Sequence, residues 1–308
     1  MNTKQEKTGA AYIMIAGMLW GVIGVFVHEL EKYGANVETI SAIRVIFAAL
    51  IMFLITTLQY GIKAFLVDRK TLFVCALLGL ICHGIYNIFY SIAVIKAGVA
   101  VSAILLDVAP IFTFLFSIML FHEKVQSQKV VGIVLNIIGC ILAVMKPGTG
   151  QNTFQWIGIL CGIGAGITYS LTAIIGRLAG ERTNPFVMSF YSYLSASLFL
   201  VIYMMIGNHE FVFDSGIMMV GFLYALIPTA VAYIIYFLGV QRITDSSKVP
   251  VFASLEVVVA CILGLFVYKE QLQEVNILGI AIVLCSIFVM NISLKEHKLR
   301  EERTVNEQ

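Results

Sequence analysis

Four side chains able to bind a solute or pass a proton fall in one apolar run. His83, Tyr86, Asn87 and Tyr90 stand at i, i+3, i+4 and i+7, the spacing of one helix face. Beyond the short Lys96-Ala97-Gly98 turn, Asp107 sits three residues before Pro110. An imidazole and a carboxylate together can exchange a proton near neutral pH, hold a polar solute, or fasten two helices by a hydrogen bond. Glu256 supplies a second carboxylate in a later apolar run and Arg44 a cation in an earlier one. Catalysis is not indicated: the chain has no HExxH, GxSxG or Walker-type loop. Its six cysteines lie inside apolar runs without CxxC spacing, so no disulfide framework, metal site or cofactor is expected.

The elements that position these groups follow from composition. Hydrophobic residues make up 60% and charged residues 12%, with a mean hydropathy of +0.94. A soluble chain cannot keep that much apolar surface from water, so the class is an all-α integral membrane protein with the lipid bilayer as its solvent. A net charge of +2, with no basic patch, excludes a nucleic-acid partner. Runs near 20 apolar residues span a bilayer. Ten qualify: 9–27, 40–58, 72–93, 99–121, 130–144, 156–175, 187–206, 217–239, 250–268 and 277–294. With the N-terminus inside, only Lys32, Lys96, Lys146 and Lys269 of the 20 lysines and arginines fall in outer segments, and Arg44 lies within a span. That bias predicts a multi-pass protein of the cell (plasma) membrane with both termini cytoplasmic.

The chain also repeats itself. A displacement of 147 residues places Tyr86 on Tyr233, Glu123 on Glu270, Gln126 on Gln273 and Gly132 on Gly279. A displacement of 149 places Gly9 on Gly158, Gly17 on Gly166 and Trp20 on Tyr169. Each half holds five spans, an odd number, so the second half enters from the opposite side. Residues 1–147 and 148–294 are therefore expected to form two inverted five-helix repeats, giving ten transmembrane helices, with 295–308 a cytoplasmic tail. Such architectures place a substrate site where the halves meet.

The first half carries Trp20-Gly21, Arg44, Ala109-Pro110, Phe121-His122-Glu123 and Gly132 and the second half Leu255-Glu256, Tyr268-Lys269-Glu270 and Gly279, motifs whose order, spacing and duplication are specific. In these motifs the chain resembles the EamA-type transporters of the drug/metabolite transporter superfamily over essentially its whole length. The family pattern often has proline after the ninth-span glutamate, where this chain has Val257.

The expected function is secondary transport, export or exchange, of a small organic metabolite such as an amino acid, amine or related solute. The substrate residues expected from depth and symmetry are Trp20, His83, Tyr86, Asn87, Tyr90, Asp107, Tyr169, Tyr233 and Glu256. His83, Asp107 and Glu256 are the groups expected to couple protons, and a net-acidic site favours a cationic or zwitterionic solute. Arg44, placed one turn inside the second span, is expected to snorkel to outer headgroups or pair with Glu31 or Glu38, with attraction of an anionic substrate as the minority reading. Pro110 and Pro228 are expected to kink the fourth and eighth spans. A monomer or homodimer is expected. The rival readings are a non-transporting sensor or scaffold and a flippase of a lipid-linked substrate.

Overall fold

The computed structural model describes residues 3–121, 127–144, 156–179, 184–240, 242, 252–253, 255–269, 272–286 and 288–289. Glu123, Lys146-Pro147-Gly148, Ser254, Glu270 and the tail 295–308 lie outside the described residues. Among the described residues every regular element is a helix. The first half contains α1 (Thr3–Gly21), α2 (Ile23–Lys32), α3 (Val37–Tyr60), α4 (Arg69–Leu78), α5 (Tyr86–Ala97), α6 (Val99–Leu106), α7 (Ala109–Phe121) and α8 (Ser127–Val144). The second contains α9 (Trp156–Ala179), α10 (Pro185–Gly207), α11 (Ser215–Ala225), α12 (Ala232–Val240), α13 (Leu255–Phe266) and α14 (Glu274–Ser286).

Short polar residues start these helices. Asn36 Oδ1 accepts from the Thr39 amide at 2.8 Å, Asp68 from the Lys70 and Thr71 amides, and Asp214 from the Gly216 and Ile217 amides. Asn184 caps α10 with Pro185 as the first helical residue, where a missing N–H costs nothing. Gly98, at φ 94°, makes the sharp reversal from α5 into α6 that only glycine adopts without strain.

Five apolar helical runs are long enough to cross a membrane: Lys7–Lys32, Val37–Tyr60, Arg69–Ala97, Phe186–Gly207 and Ser215–Tyr236. Five more, at Val99–Thr113, Val130–Leu142, Trp156–Thr172, Leu255–Phe266 and Glu274–Ser286, are apolar but shorter. The outward faces are greasy: Leu50, Leu54 and Leu58 line one side of α3 and are all exposed. In water such a stripe is a liability, and against acyl chains it is solvated.

The halves pack in matched pairs. α3 runs along α10, α5 along α9, α12 along α1, and α6 along α13. α8 meets α14 so closely that a Cβ at Gly139 would lie 2.9 Å from the Gly279 carbonyl oxygen. Glycines at the repeat seams correspond too. A Cβ on Gly17 would meet the Ala253 carbonyl oxygen at 2.6 Å, and one on Gly166 the Leu106 carbonyl oxygen at 3.2 Å. Those partners are again 147 residues apart.

Two π-helical turns interrupt the third and eighth apolar runs, at Gly79–Ile85 and Leu226–Val231. They too are displaced by 147 residues. In the second, Pro228 has no N–H to offer the Tyr224 carbonyl, and the Thr229 hydroxyl donates to it instead at 3.3 Å. In the first, which lacks proline, the Asn87 side-chain amide donates to the His83 carbonyl. The expected proline kink in the eighth run is thus a widened turn. In the fourth run the helix breaks at Asp107–Val108, between α6 and α7, just before Pro110.

Candidate functional site

Arg44 is the centre of the site, and the snorkelling expectation for it is wrong. Helix α3 begins at Val37 rather than Ile40, so Arg44 lies about 10 Å along it, at 1.5 Å per residue. Its side chain is 5% exposed. It pairs with neither Glu31 nor Glu38: Glu31 accepts from His28 Nδ1 at 3.0 Å, and Glu38 faces His209 Nδ1 at 3.5 Å. Instead Arg44 Nη1 donates to Asn87 Oδ1 (2.8 Å) and to the Tyr224 hydroxyl (3.2 Å), while Nε donates to Thr229 Oγ1 (3.1 Å). The guanidinium carbon also lies 4.8 Å from the Tyr224 ring centroid, within cation–π range. Asn87 and Thr229 are the side chains that donate to the His83 carbonyl inside the first π turn and to the Tyr224 carbonyl just before the second. One guanidinium therefore links the distorted turns of both repeats.

Around it is an aromatic shell drawn from both halves. Trp20 meets Tyr233 edge-on at 5.5 Å and Tyr236 at 5.1 Å. Tyr86 stacks on Tyr90 and approaches Tyr169, each at 5.8 Å. Phe26 stacks on Tyr224 at 5.6 Å. Trp20, Tyr86, Tyr90, Tyr169 and Tyr233 share one packed cluster, so five expected residues converge. The cluster holds Tyr224 as well, which sequence reasoning missed.

The expected His83–Asp107 pair does not form. Among the described residues no hydrogen bond or ion pair joins them, although α5 and α6 touch. The His83 ring stacks on Tyr193 of α10 at 4.4 Å, and Tyr193 meets Tyr233 edge-on at 6.4 Å. The π turn lies between α4 and α5 with His83 inside it, so the regular 3.6-residue stripe that joined His83 to Tyr86 is interrupted. Asp107 occupies the break after α6. Its backbone carbonyl accepts from Asn136 Nδ2 at 3.2 Å, Asn136 Nδ2 also donates to Ser286 Oγ at 3.2 Å, and Asp107 Oδ2 is sealed without a partner. Glu256 is half-buried at the start of α13.

At the far end of α2 a latch joins the repeats. The Tyr268 hydroxyl donates to Glu29 Oε1 (3.3 Å) and to the Val25 carbonyl (3.4 Å). The His28 ring packs on Tyr268 at 4.6 Å, and Lys32 Nζ donates to Glu29 Oε1 at 2.7 Å.

This arrangement can be set beside known proteins. The model of the EamA-like transporter family matches residues 7–145 and 156–292. An uncharacterized transporter of Archaeoglobus fulgidus is 25% identical over 285 residues, covering 92% of this chain and 96% of that protein. The uncharacterized transporter YetK of Bacillus subtilis (strain 168) is 24% identical over 315 residues, covering 97% and 93%. One solved crystal structure superposes with a TM-score of 0.65 at 16% identity, over 95% of this chain and 99% of that one, and shares the fold.

Proposed function

The chain belongs to the EamA-like transporter family, and from that premise we propose a secondary transporter of a small organic metabolite that works by alternating access. Family and relatives make it a multi-pass membrane transporter rather than an enzyme. Beyond that, our reading is ten membrane crossings arranged as two inverted five-helix repeats, in the plasma membrane with both termini cytoplasmic. The solute, an amino acid, amine or related compound, is exported or exchanged, and the working unit is a monomer or homodimer.

The observation that carries this reading is the convergence at Arg44. Asn87 of one half and Thr229 and Tyr224 of the other hold one buried cation inside a shell of aromatics from both halves. A site shared by two repeats changes shape when the repeats rock against each other. The paired π turns supply the compliance, because a π turn is a weakly bonded step in an otherwise stiff helix. The glycine seams at Gly17 and Gly166 let backbones slide at close range. Tyr268 and Glu29 close one end. Asp107, Glu256 and His83 are the groups available to carry protons, since transport without a nucleotide site runs on a gradient.

Purified protein in liposomes tests this by counterflow against amino acids, amines and nucleosides, with and without a pH gradient. Exchange of at least one solute, accelerated by the gradient, is expected. Asp107→Asn is expected to keep exchange and lose the gradient effect. Folded protein that exchanges no solute under any condition would move the reading to a sensor or scaffold.

A further inference from the structure

We propose that the segment 61–73, which joins the second apolar run to the third, is a docking ledge for an anionic phospholipid. The headgroup sits among Lys63, Arg69 and Lys70, and the acyl chains lie along Ile62, Leu66 and Phe73. The ledge is remote in kind from the Arg44 site and needs no transported solute. Only its assignment to the inner leaflet rests on the orientation reading. Three observations carry it.

First, the ledge is built rather than loose. Helix α3 ends at Tyr60, Gly61 turns the chain at φ 74°, and a single 3-10 turn, Ile62–Phe65, precedes α4. The turn is pinned to the second half of the chain. The Tyr191 hydroxyl of α10 donates to the Phe65 carbonyl at 2.7 Å. The Phe65 ring packs against Phe190 at 4.8 Å and against Phe53 at 5.3 Å. A surface already ordered loses little freedom when a ligand lands on it.

Second, this ledge presents apolar and cationic groups side by side. Ile62 is exposed, as are Leu66 at 84% and Phe73 at 68%. Lys63, Arg69 and Lys70 are exposed as well. Among the described residues none of these three makes a side-chain hydrogen bond or an ion pair. The one carboxylate of the segment, Asp68, is occupied by the Lys70 and Thr71 amides and the Thr71 hydroxyl. Three cations against one anion, set where two spans end, complement a negative headgroup above its acyl chains.

Third, the cations are peculiar to one repeat. A displacement of 147 residues carries 61–73 onto 208–220, the connection between α10 and α11. That connection also exposes apolar side chains, Phe211 and Phe213, and also ends in an aspartate cap, Asp214. It holds no lysine or arginine. The scaffold therefore needs the turn and the cap but not the positive charge. Cations that served only to orient the chain during insertion would leave the folded protein indifferent to headgroup charge.

The test uses the purified full chain in neutral detergent, where neither leaflet nor orientation enters, so failure of the orientation reading leaves the result intact. The probes are dioleoylphosphatidylglycerol, dioleoylphosphatidylcholine with the same chains, and glycerol 3-phosphate without chains. Binding is read as the shift in unfolding temperature and as lipid retained in native mass spectrometry. Wild type is expected to be stabilised by the phosphatidylglycerol and by neither of the other two. The triple variant Lys63→Gln, Arg69→Gln, Lys70→Gln is expected to bind it about a hundredfold more weakly, at about fivefold per charge. Lys96→Gln removes an exposed cation from the opposite end of the span that Arg69 begins, and is expected to keep the full effect. If the triple variant does not fold, Lys63→Gln alone, expected to bind about fivefold more weakly, decides together with the wild-type comparison. Equal stabilisation by both lipids, stabilisation by glycerol 3-phosphate to the same extent, an unchanged effect in the triple variant, or an equal loss in Lys96→Gln overturns the proposal.

Discussion

Replacing Gly79 by alanine probes the π turn that distinguishes this fold from a bundle of regular helices. A Cβ there would sit 2.1 Å from the Ser192 carbonyl oxygen and 2.8 Å from Ser195 Cβ. An ordinary carbon–oxygen contact needs about 3.3 Å, so α10 must withdraw by roughly 1 Å. The obstacle is backbone, and no rotamer change relieves it. Withdrawal would also pull Tyr193 from the His83 ring and Ser195 Oγ from the Ala76 carbonyl, which it now reaches at 2.9 Å. Overpacking of this kind costs about 1–3 kcal/mol, and the helix propensity of alanine over glycine returns at most about 1 kcal/mol. A net loss near 1 kcal/mol is expected, or about 2–4 °C at 2–4 °C per kcal/mol for a large domain. Gly84→Ala is the control, because its Cβ meets the Phe199 ring at 2.6 Å, a side chain that can turn aside. Its loss is expected to be smaller and to be recovered by Phe199→Leu. Thermal unfolding in detergent, followed by a dye that reacts with exposed thiols, reads both, because Cys75, Cys82 and Cys140 are free and buried. Equal unfolding temperatures for Gly79→Ala and wild type would refute the close approach of the π turn to α10, and rescue of Gly79→Ala by Ser195→Gly would refute the backbone argument.

Other consequences follow at separate places. Asn136→Ala removes the donor to the Asp107 carbonyl and to the buried Ser286 Oγ, so a loss of about 1–3 kcal/mol is expected in the same unfolding assay. Asp68 caps α4: the Thr71 hydroxyl donates to it at 2.6 Å, and the Thr71 and Lys70 amides at 3.2 and 3.1 Å. These bonds, the Thr71 hydroxyl foremost, hold its carboxyl below the usual range. The cap is therefore intact above the ordinary carboxylate range and is lost as pH falls through the lowered value. The protection of the Lys70 and Thr71 amides from hydrogen exchange, taken relative to the intrinsic rate at each pH, should fall only in that acidic window, and Asp68→Asn should remove this pH dependence of protection.

The sequence made the aromatic part of the site legible because its signal is local and duplicated. Tyr86 and Tyr233, and Trp20 and Tyr169, hold corresponding places in the two repeats, and the fold brings all four together with Tyr90. Arg44 was misplaced because apolarity alone starts its helix at Ile40. The chain actually enters the helix at Val37 under the Asn36 cap, which moves Arg44 three residues, about 4.5 Å, deeper. Its partners Tyr224 and Thr229 lie some 180 residues away and carry no local mark. The first π turn was equally hidden, since no proline announces it. The His83–Asp107 pairing failed for a related reason: adjacency in sequence brought α5 beside α6 but could not reveal the wide turn at His83 or the break at Asp107.

The central claim is that the two repeats rock about the Arg44 site, and paired spin-label distances test it most directly. One pair at positions 32 and 269 brackets the Tyr268–Glu29 latch, and another at positions 7 and 242 lies near the opposite end, where Arg242 sits over the Tyr12 ring. The account predicts two distance populations for each pair in liposomes, with a bound solute shifting the two pairs in opposite senses. A single unchanging distance at both ends, or a shift in the same sense at both, would contradict it.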